Sequence, residues 1–202
     1  MNQSKITFII PSVGRSTLAR SIGSLLSQTN PNWKAIVVFD GVKNNINIED
    51  DRITYLEINK VGVKNNAGRV RNIGISRAET DWVAFLDDDD TISYNYVNRF
   101  EEEIKLNSNA ECIIFRMQTG KMILPMQNDN NFHVGRVGIS FAMKASLPER
   151  FSPSDTEDYN LLNLMRSNKR KIIISPYINY FVRSLPIESS NNQNYPRITI
   201  NF

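Results

Sequence analysis

An apolar run, Trp82-Val83-Ala84-Phe85-Leu86, stops on four consecutive aspartates, Asp87 to Asp90. A run of that kind reads as a buried strand. Four adjacent carboxylates at its end repel one another and resist desolvation. Two environments relieve the repulsion. One is water, in an acidic loop or the first turn of a helix. The other is a divalent cation: hard oxygen donors suit Mg²⁺ or Mn²⁺, which commonly bridge a few carboxylates to substrate phosphates.

The pattern before and after this strand predicts its setting. Ile6 to Ile10 reads as a strand stopped by Pro11. Ser16 or Thr17 is placed to cap a helix whose apolar stripe is Leu18, Ile22, Leu25 and Leu26. Ala35 to Phe39 is a strand ending at Asp40-Gly41, and Ile53 to Ile58 is another. Asn66 to Ala78 reads as a helix despite its glycines. Ser93 is placed to cap a helix with Val97, Phe100 and Ile104 on one face. Strands alternating with helices predict an α/β three-layer sandwich around a mostly parallel central sheet. Ligands of such sheets bind beyond the carboxyl ends of the strands, where Asp40 and the aspartate run both fall.

The second half differs. Ala110–Met117 and Lys121–Met126 read as a hairpin around Thr119-Gly120, Val137–Met143 as a strand, and 155–167 as a helix. Lys171–Ser175 and Tyr177–Val182 read as two short strands, and Ile198–Phe202 as an edge strand or a loose end. The expectation is one domain over 1–202 with two lobes, one over about 1–105 and the other over about 106–202.

Composition narrows the function. With 41% hydrophobic and 22% charged residues among 202, the chain is an ordinary globular protein able to bury a core. No stretch nears the ~20 apolar residues of a membrane span. No signal-peptide pattern precedes the first strand, so a soluble, cytoplasmic protein is expected. Cys112 is the sole cysteine, which excludes an internal disulfide, and it reads as a core thiol. His133 is the sole histidine, which excludes a multi-histidine metal site. A net charge of +3 is too small to argue for nucleic acid.

Two further clusters carry chemistry. Lys60, Lys64, Arg69, Arg71 and Arg77 form a stretch without an acid until Glu79. It is either a solvated helix face or, beside an acidic metal site, a partner for a diphosphate, which the guanidinium fork suits. Asn66, Gly68, Asn72 and Gly74 would permit close backbone approach. Glu157 and Asp158 open the helix at 155–167. Asp158 shares the stripe of Leu161, Leu162 and Met165, and Glu157 aligns with Leu161 and Leu164, so periodicity does not decide which points inward. Helix-dipole complementarity is the plainer reading of the pair.

Taken in order, Pro11-Ser12-Val13-Gly14-Arg15, Leu18, Ser27-Gln28, Asp40-Gly41, Arg71-Asn72-Ile73-Gly74 and Phe85 to Asp90 resemble the family 2 glycosyltransferases with the GT-A fold. The resemblance is dense from Ile6 to about Phe100 and thinner beyond. It implies an enzyme that moves a sugar from a nucleotide-diphosphate donor, with UDP-sugars foremost, to a hydroxyl acceptor with inversion. The acceptor would be a glycan, a lipid-linked or a protein-linked hydroxyl, and the cofactor Mn²⁺ or Mg²⁺. Pro11, Ser12, Gly14, Arg15, Asp40, Asn66, Arg71, Asp87 and Asp88 would bind the nucleotide sugar. Asp87 and Asp89 would form the DXD element that holds the metal, with its register uncertain by one, so that Asp88 or Asp90 could share the work. Asp158, paired with Glu157, would be the base. Two other readings compete. A sugar nucleotidyltransferase would carry a glycine-rich loop after the first strand, where this chain has Pro11 to Arg15. A non-catalytic nucleotide- or glycan-binding module would have no use for Asp158.

Overall fold

A computed structural model describes residues 5–62, 67–126, 129, 131–184 and 197–200. The chain runs β1 (Ile6–Ser12), α1 (Leu18–Leu26), β2 (Trp33–Asp40), β3 (Ile53–Ile58), α2 (Gly68–Arg77), β4 (Trp82–Phe85), β5 (Thr91–Ile92), α3 (Tyr96–Leu106), β6 (Cys112–Thr119), β7 (Met122–Leu124), β8 (Phe141–Lys144), α4 (Glu157–Ser167), β9 (Ile172–Val182) and β10 (Ile198–Thr199). The strands form one sheet in the order β10-β9-β6-β8-β4-β1-β2-β3, with β5 paired to β9 and β7 to β6.

Parallel pairing is concentrated in β4-β1-β2-β3. Of these, β1, β2 and β4 are buried along most of their length, as near-continuous apolar runs require, and β3 at the sheet edge is only partly buried. β8 is inserted antiparallel between β4 and β6, so the whole sheet is mixed. β6 and β9 are parallel to each other.

Successive residues of β1 show the layers. Phe8 packs edge-on against Tyr96 of α3, with ring centroids 5.1 Å apart. Ile9 points the other way, onto α2. A Cβ added at Gly74 would lie 2.3 Å from Ile9 Cγ2, so the glycine that weakens the helix in isolation is what lets α2 settle on the sheet. α1 joins the α3 face through Gln28, whose side chain donates to the Ser93 carbonyl (2.7 Å) and accepts from the Val97 N–H (3.1 Å).

Several expected details shift. The α1 stripe keeps Leu18, Ile22 and Leu25 buried, but Leu26 is exposed. Neither α1 nor α3 carries a side-chain cap: Thr17 and Asn95 hold the N-cap positions, and the Ser93 hydroxyl accepts from the Asn95 N–H instead. β8 begins at Phe141 because the Phe141 N–H turns back to the Ile139 carbonyl (2.8 Å), which breaks the extended run. Residues 172–182 form one strand, not two. Pro176 cannot donate to the ladder, and a register shift opposite Ile114 and Arg116 absorbs it. Ile198–Thr199 does pair at the edge, while Asn201 and Phe202 lie outside the described residues.

Candidate active site

The parallel strands β1, β2 and β4 deliver Ser12, Asp40 and Asp87 to one edge of the sheet. There a polar cleft of about 410 Å³ opens between the strand ends, the N-terminus of α2 and the N-terminus of α4. Pro11, Ser12, Arg15, Asp40, Arg71, Asp87, Asp88, Asp89, Glu157 and Asp158 all line it. Gly14 does not. It makes the turn after β1 at φ 81°, with its N–H on the Ser12 hydroxyl (3.0 Å). Asn66 and Lys64 lie outside the described residues.

Asp40 is buried at the end of β2. It accepts from the Val61 N–H (2.7 Å) and the Gly62 N–H (3.1 Å), and Lys60 Nζ sits 2.8 Å away. Burial works against its charge. The hydrogen bonds from Lys60 and the two amides outweigh burial and hold the carboxyl below its ordinary value.

The aspartate run separates by side-chain direction. Asp88 turns to β1, accepting from the Ser12 hydroxyl (2.7 Å) and Arg15 Nη1 (2.7 Å). Asp87, Asp89 and Asp90 turn together, each with a carboxylate oxygen within 4.8 Å of the other two. Asp90 also accepts from the Tyr180 phenol (2.7 Å) and the Arg183 N–H (2.9 Å). Burial and the neighbouring Asp87 charge still push it up to about 6. Three hard oxygen donors at this spacing, mutually repulsive and partly desolvated, fit a divalent cation such as Mg²⁺ or Mn²⁺. The sequence left the register of the run open, and the packing turns Asp88 away from this trio.

Arg71 joins the two acidic segments. It is buried, and its Nη2 lies 2.5 Å from Asp87 Oδ1 while its Nη1 binds Glu157. Of the basic stretch, Arg69 and Arg77 are solvated, and Arg71 alone among its described helical residues enters the cleft. Glu157 is fully engaged. Besides Arg71 it accepts from the Ala67 N–H (3.3 Å) and the Gly68 N–H (2.9 Å) at the start of α2.

Asp158, one residue on, is placed differently. Arg71 Nη1 stands 3.9 Å from Asp158 Oδ1, too far for a hydrogen bond, and that buried oxygen has no hydrogen-bond partner. Burial pushes the carboxyl up to about 7. Arg71 opposes the shift, and the charges of Asp87 and Glu157 add to it.

Sequence reasoning missed Arg183 and Tyr180. Arg183 lines the cleft and reaches Asp89 Oδ2 (3.1 Å). Tyr180 accepts from the Asp87 N–H (3.1 Å) as it donates to Asp90, bracing both ends of the run. The available signal was positional: both lie at the end of an apolar strand, as Asp40 and Asp87 do. His133 is exposed, and Cys112 is buried.

Among solved structures, S. aureus TarS 1–349 in complex with UDP is similar to this chain with a TM-score of 0.68 at 15% identity, over 88% of this chain and 60% of that one. A UDP-Glc:alpha-D-GlcNAc-diphosphoundecaprenol beta-1,3-glucosyltransferase of Escherichia coli is 28% identical over 199 residues, 88% of this chain and 76% of the relative. An uncharacterized glycosyltransferase of Rickettsia bellii is 33% identical over 115 residues, and one of Haemophilus influenzae 28% over 109. The matches cover only 16% and 37% of those two relatives' lengths. Residues 7–169 match the family described as Glycosyl transferase family 2, and the chain belongs to that family.

Proposed function

We propose that this protein transfers a sugar from a nucleotide-diphosphate donor to a hydroxyl acceptor, inverting the anomeric centre. One observation carries the reading: Asp40, Asp87 to Asp89 and Asp158 come from distant parts of the sequence and line a single cleft. The name of the E. coli relative includes UDP-Glc, and TarS has been solved with UDP and with UDP-GlcNAc, which makes a UDP-sugar the first donor to test.

Asp40, at the end of β2, receives the nucleoside. Its carboxylate is kept charged and fixed by the amides of Val61 and Gly62. Pro11 and Ser12 form the adjoining wall, and Arg15 faces the phosphates. Asp87, Asp89 and Asp90 would hold a divalent cation, which when bound neutralises charge on the departing diphosphate. Asp158 takes the proton of the acceptor hydroxyl as its oxygen attacks the anomeric carbon. The bond from that carbon to the diphosphate breaks on the opposite face, so a single displacement inverts configuration. Glu157 is a positioning residue: with both oxygens engaged by α2 and Arg71, it fixes the first turn of α4 on which Asp158 stands.

The acceptor is a glycan, lipid-linked or protein-linked hydroxyl that enters on the α4 side, built by residues 106–202. No helix among the described residues is long and apolar enough to cross a membrane. Thermal-shift measurements with UDP, UDP-glucose and UDP-GlcNAc, with and without Mn²⁺, test the donor. Binding to the native state raises its apparent stability. A melting temperature that no nucleoside diphosphate moves would refute the reading.

A further inference from the structure

Arg183 directly follows the last residue of β9. β9 is parallel to β6, β6 is antiparallel to β8, and β8 is antiparallel to β4. β9 therefore ends at the same edge of the sheet as β1, β2 and β4. Arg183 has a φ of 51°, the left-handed region that a residue with a Cβ visits rarely and at a cost. The backbone is pinned in that state from both sides. The Arg183 N–H donates to Asp90 Oδ1 (2.9 Å), and the Ser184 carbonyl accepts from the Thr91 hydroxyl (2.5 Å). The side chain is thereby carried to the mouth of the cleft, 76% exposed, with its Nε 3.1 Å from Asp89 Oδ2. Arg15 Nη1 stands 3.6 Å from that same oxygen.

Two guanidiniums from opposite ends of the chain thus flank one oxygen of an aspartate that also belongs to the candidate cation site. An exposed pair contributes little to stability and does not account for backbone strain at Arg183. The planar fork of an arginine does match the oxygens of a phosphate. We propose that Arg183 is a diphosphate-binding residue acting with Arg15, and that Asp89 holds Arg183 in reserve until a cation binds there. The inference rests on the donor reading above and deepens it. It names the residue that makes the site prefer a nucleoside diphosphate to the nucleoside or its monophosphate.

Calorimetric titration of uridine, UMP and UDP into the wild type, Arg183→Gln and Arg183→Lys tests this, with Mn²⁺ and separately with EDTA. With Mn²⁺, R183Q is expected to bind UDP about tenfold more weakly and uridine as the wild type does. R183K recovers part of the loss, since lysine restores the charge without the fork. With EDTA, Asp89→Asn releases Arg183 and binds UDP more tightly than the wild type, and adding R183Q cancels that gain. Unchanged UDP affinity in R183Q overturns the proposal while the donor reading stands. Equal losses for uridine and UDP make Arg183 structural and overturn it too. A wild type that binds no nucleoside diphosphate removes the donor reading and this proposal together.

Discussion

The two walls of the cleft treat their carboxylates in opposite ways. On the strand-end wall each aspartate that lines the cleft meets a cationic side chain: Asp40 meets Lys60, Asp87 meets Arg71, Asp88 meets Arg15, and Asp89 meets Arg15 and Arg183, while Asp90, buried behind them, has the Tyr180 phenol and the Arg183 N–H. On the α4 wall Glu157 is equally well paired, yet Asp158 beside it keeps a buried oxygen without a hydrogen bond. The contrast separates two tasks. A carboxylate that holds a ligand in place can be compensated in advance. One that accepts a proton cannot, because every hydrogen bond to its charged form lowers its proton affinity.

The most severe test of that contrast is Asp158→Asn. Transfer should fall by about 10²–10⁴-fold, the usual scale of general-base catalysis, while UDP affinity stays at the wild-type value. In the wild type, kcat/KM for the acceptor should rise with pH as a single group near 7 loses its proton. Parallel loss of nucleotide binding would erase the distinction between the walls.

Next in size is Arg71→Met. The guanidinium is buried, and burial works against its charge, yet Asp87, Asp158 and Glu157 hold it more firmly protonated than usual. Removing it strands Asp87 and Glu157. Breaking a buried pair from one side costs about 3–5 kcal/mol, which equilibrium urea unfolding would read directly. A loss below about 1 kcal/mol would mean that water already screens the junction of the two walls.

The strand-end wall was far more readable in the sequence than the α4 wall, and the reason is physical. Asp40 and the Asp87–Asp90 run each follow an apolar run whose meaning is local: a buried strand ends and polar groups emerge. The alternation of β1 to α3 follows from the same local periodicity. The antiparallel insertion of β8 does not, because strand direction is fixed by partners and not by pattern. Pro176 punctuates a local reading into two strands, and only the register of β6 shows that a bulge absorbs it. Glu157 and Asp158 both lie along the apolar side of α4. What divides them is the pair of amides at Ala67 and Gly68, some ninety residues away. Lys60, Tyr180 and Arg183 likewise take their roles from partners distant in the sequence.

Stability against pH sharpens the comparison at a smaller scale. The folded pKa of Asp158 is raised, to about 7. Its contribution is therefore fully present below the unfolded value near 3.9 and is lost as pH rises through 7. The folded pKa of Asp40 is lowered. Its contribution is present above about 3.9 and is lost as pH falls through the folded value. Asp158→Asn should therefore melt close to the wild type near pH 4. By pH 8 it should melt higher, by on the order of 5 °C. A gap that stays constant from pH 4 to pH 8 would show that Asp158 is not held in a charge-averse site.

The smallest effect belongs to Lys60→Gln. Lys60 is more than half exposed, so its pair with Asp40 is screened by water, and losing it should cost about 0.5 kcal/mol or less. The Val61 and Gly62 amides remain, and backbone donors cannot be removed by changing a side chain. Asp40 should consequently stay ionised at neutral pH, and UDP affinity should change by no more than about threefold, a fraction of 1 kcal/mol. A larger loss in calorimetric titration would place the compensation of Asp40 in the lysine. The strand-end wall would then depend on mobile side chains as much as the α4 wall depends on Arg71, and the two walls would differ only at Asp158.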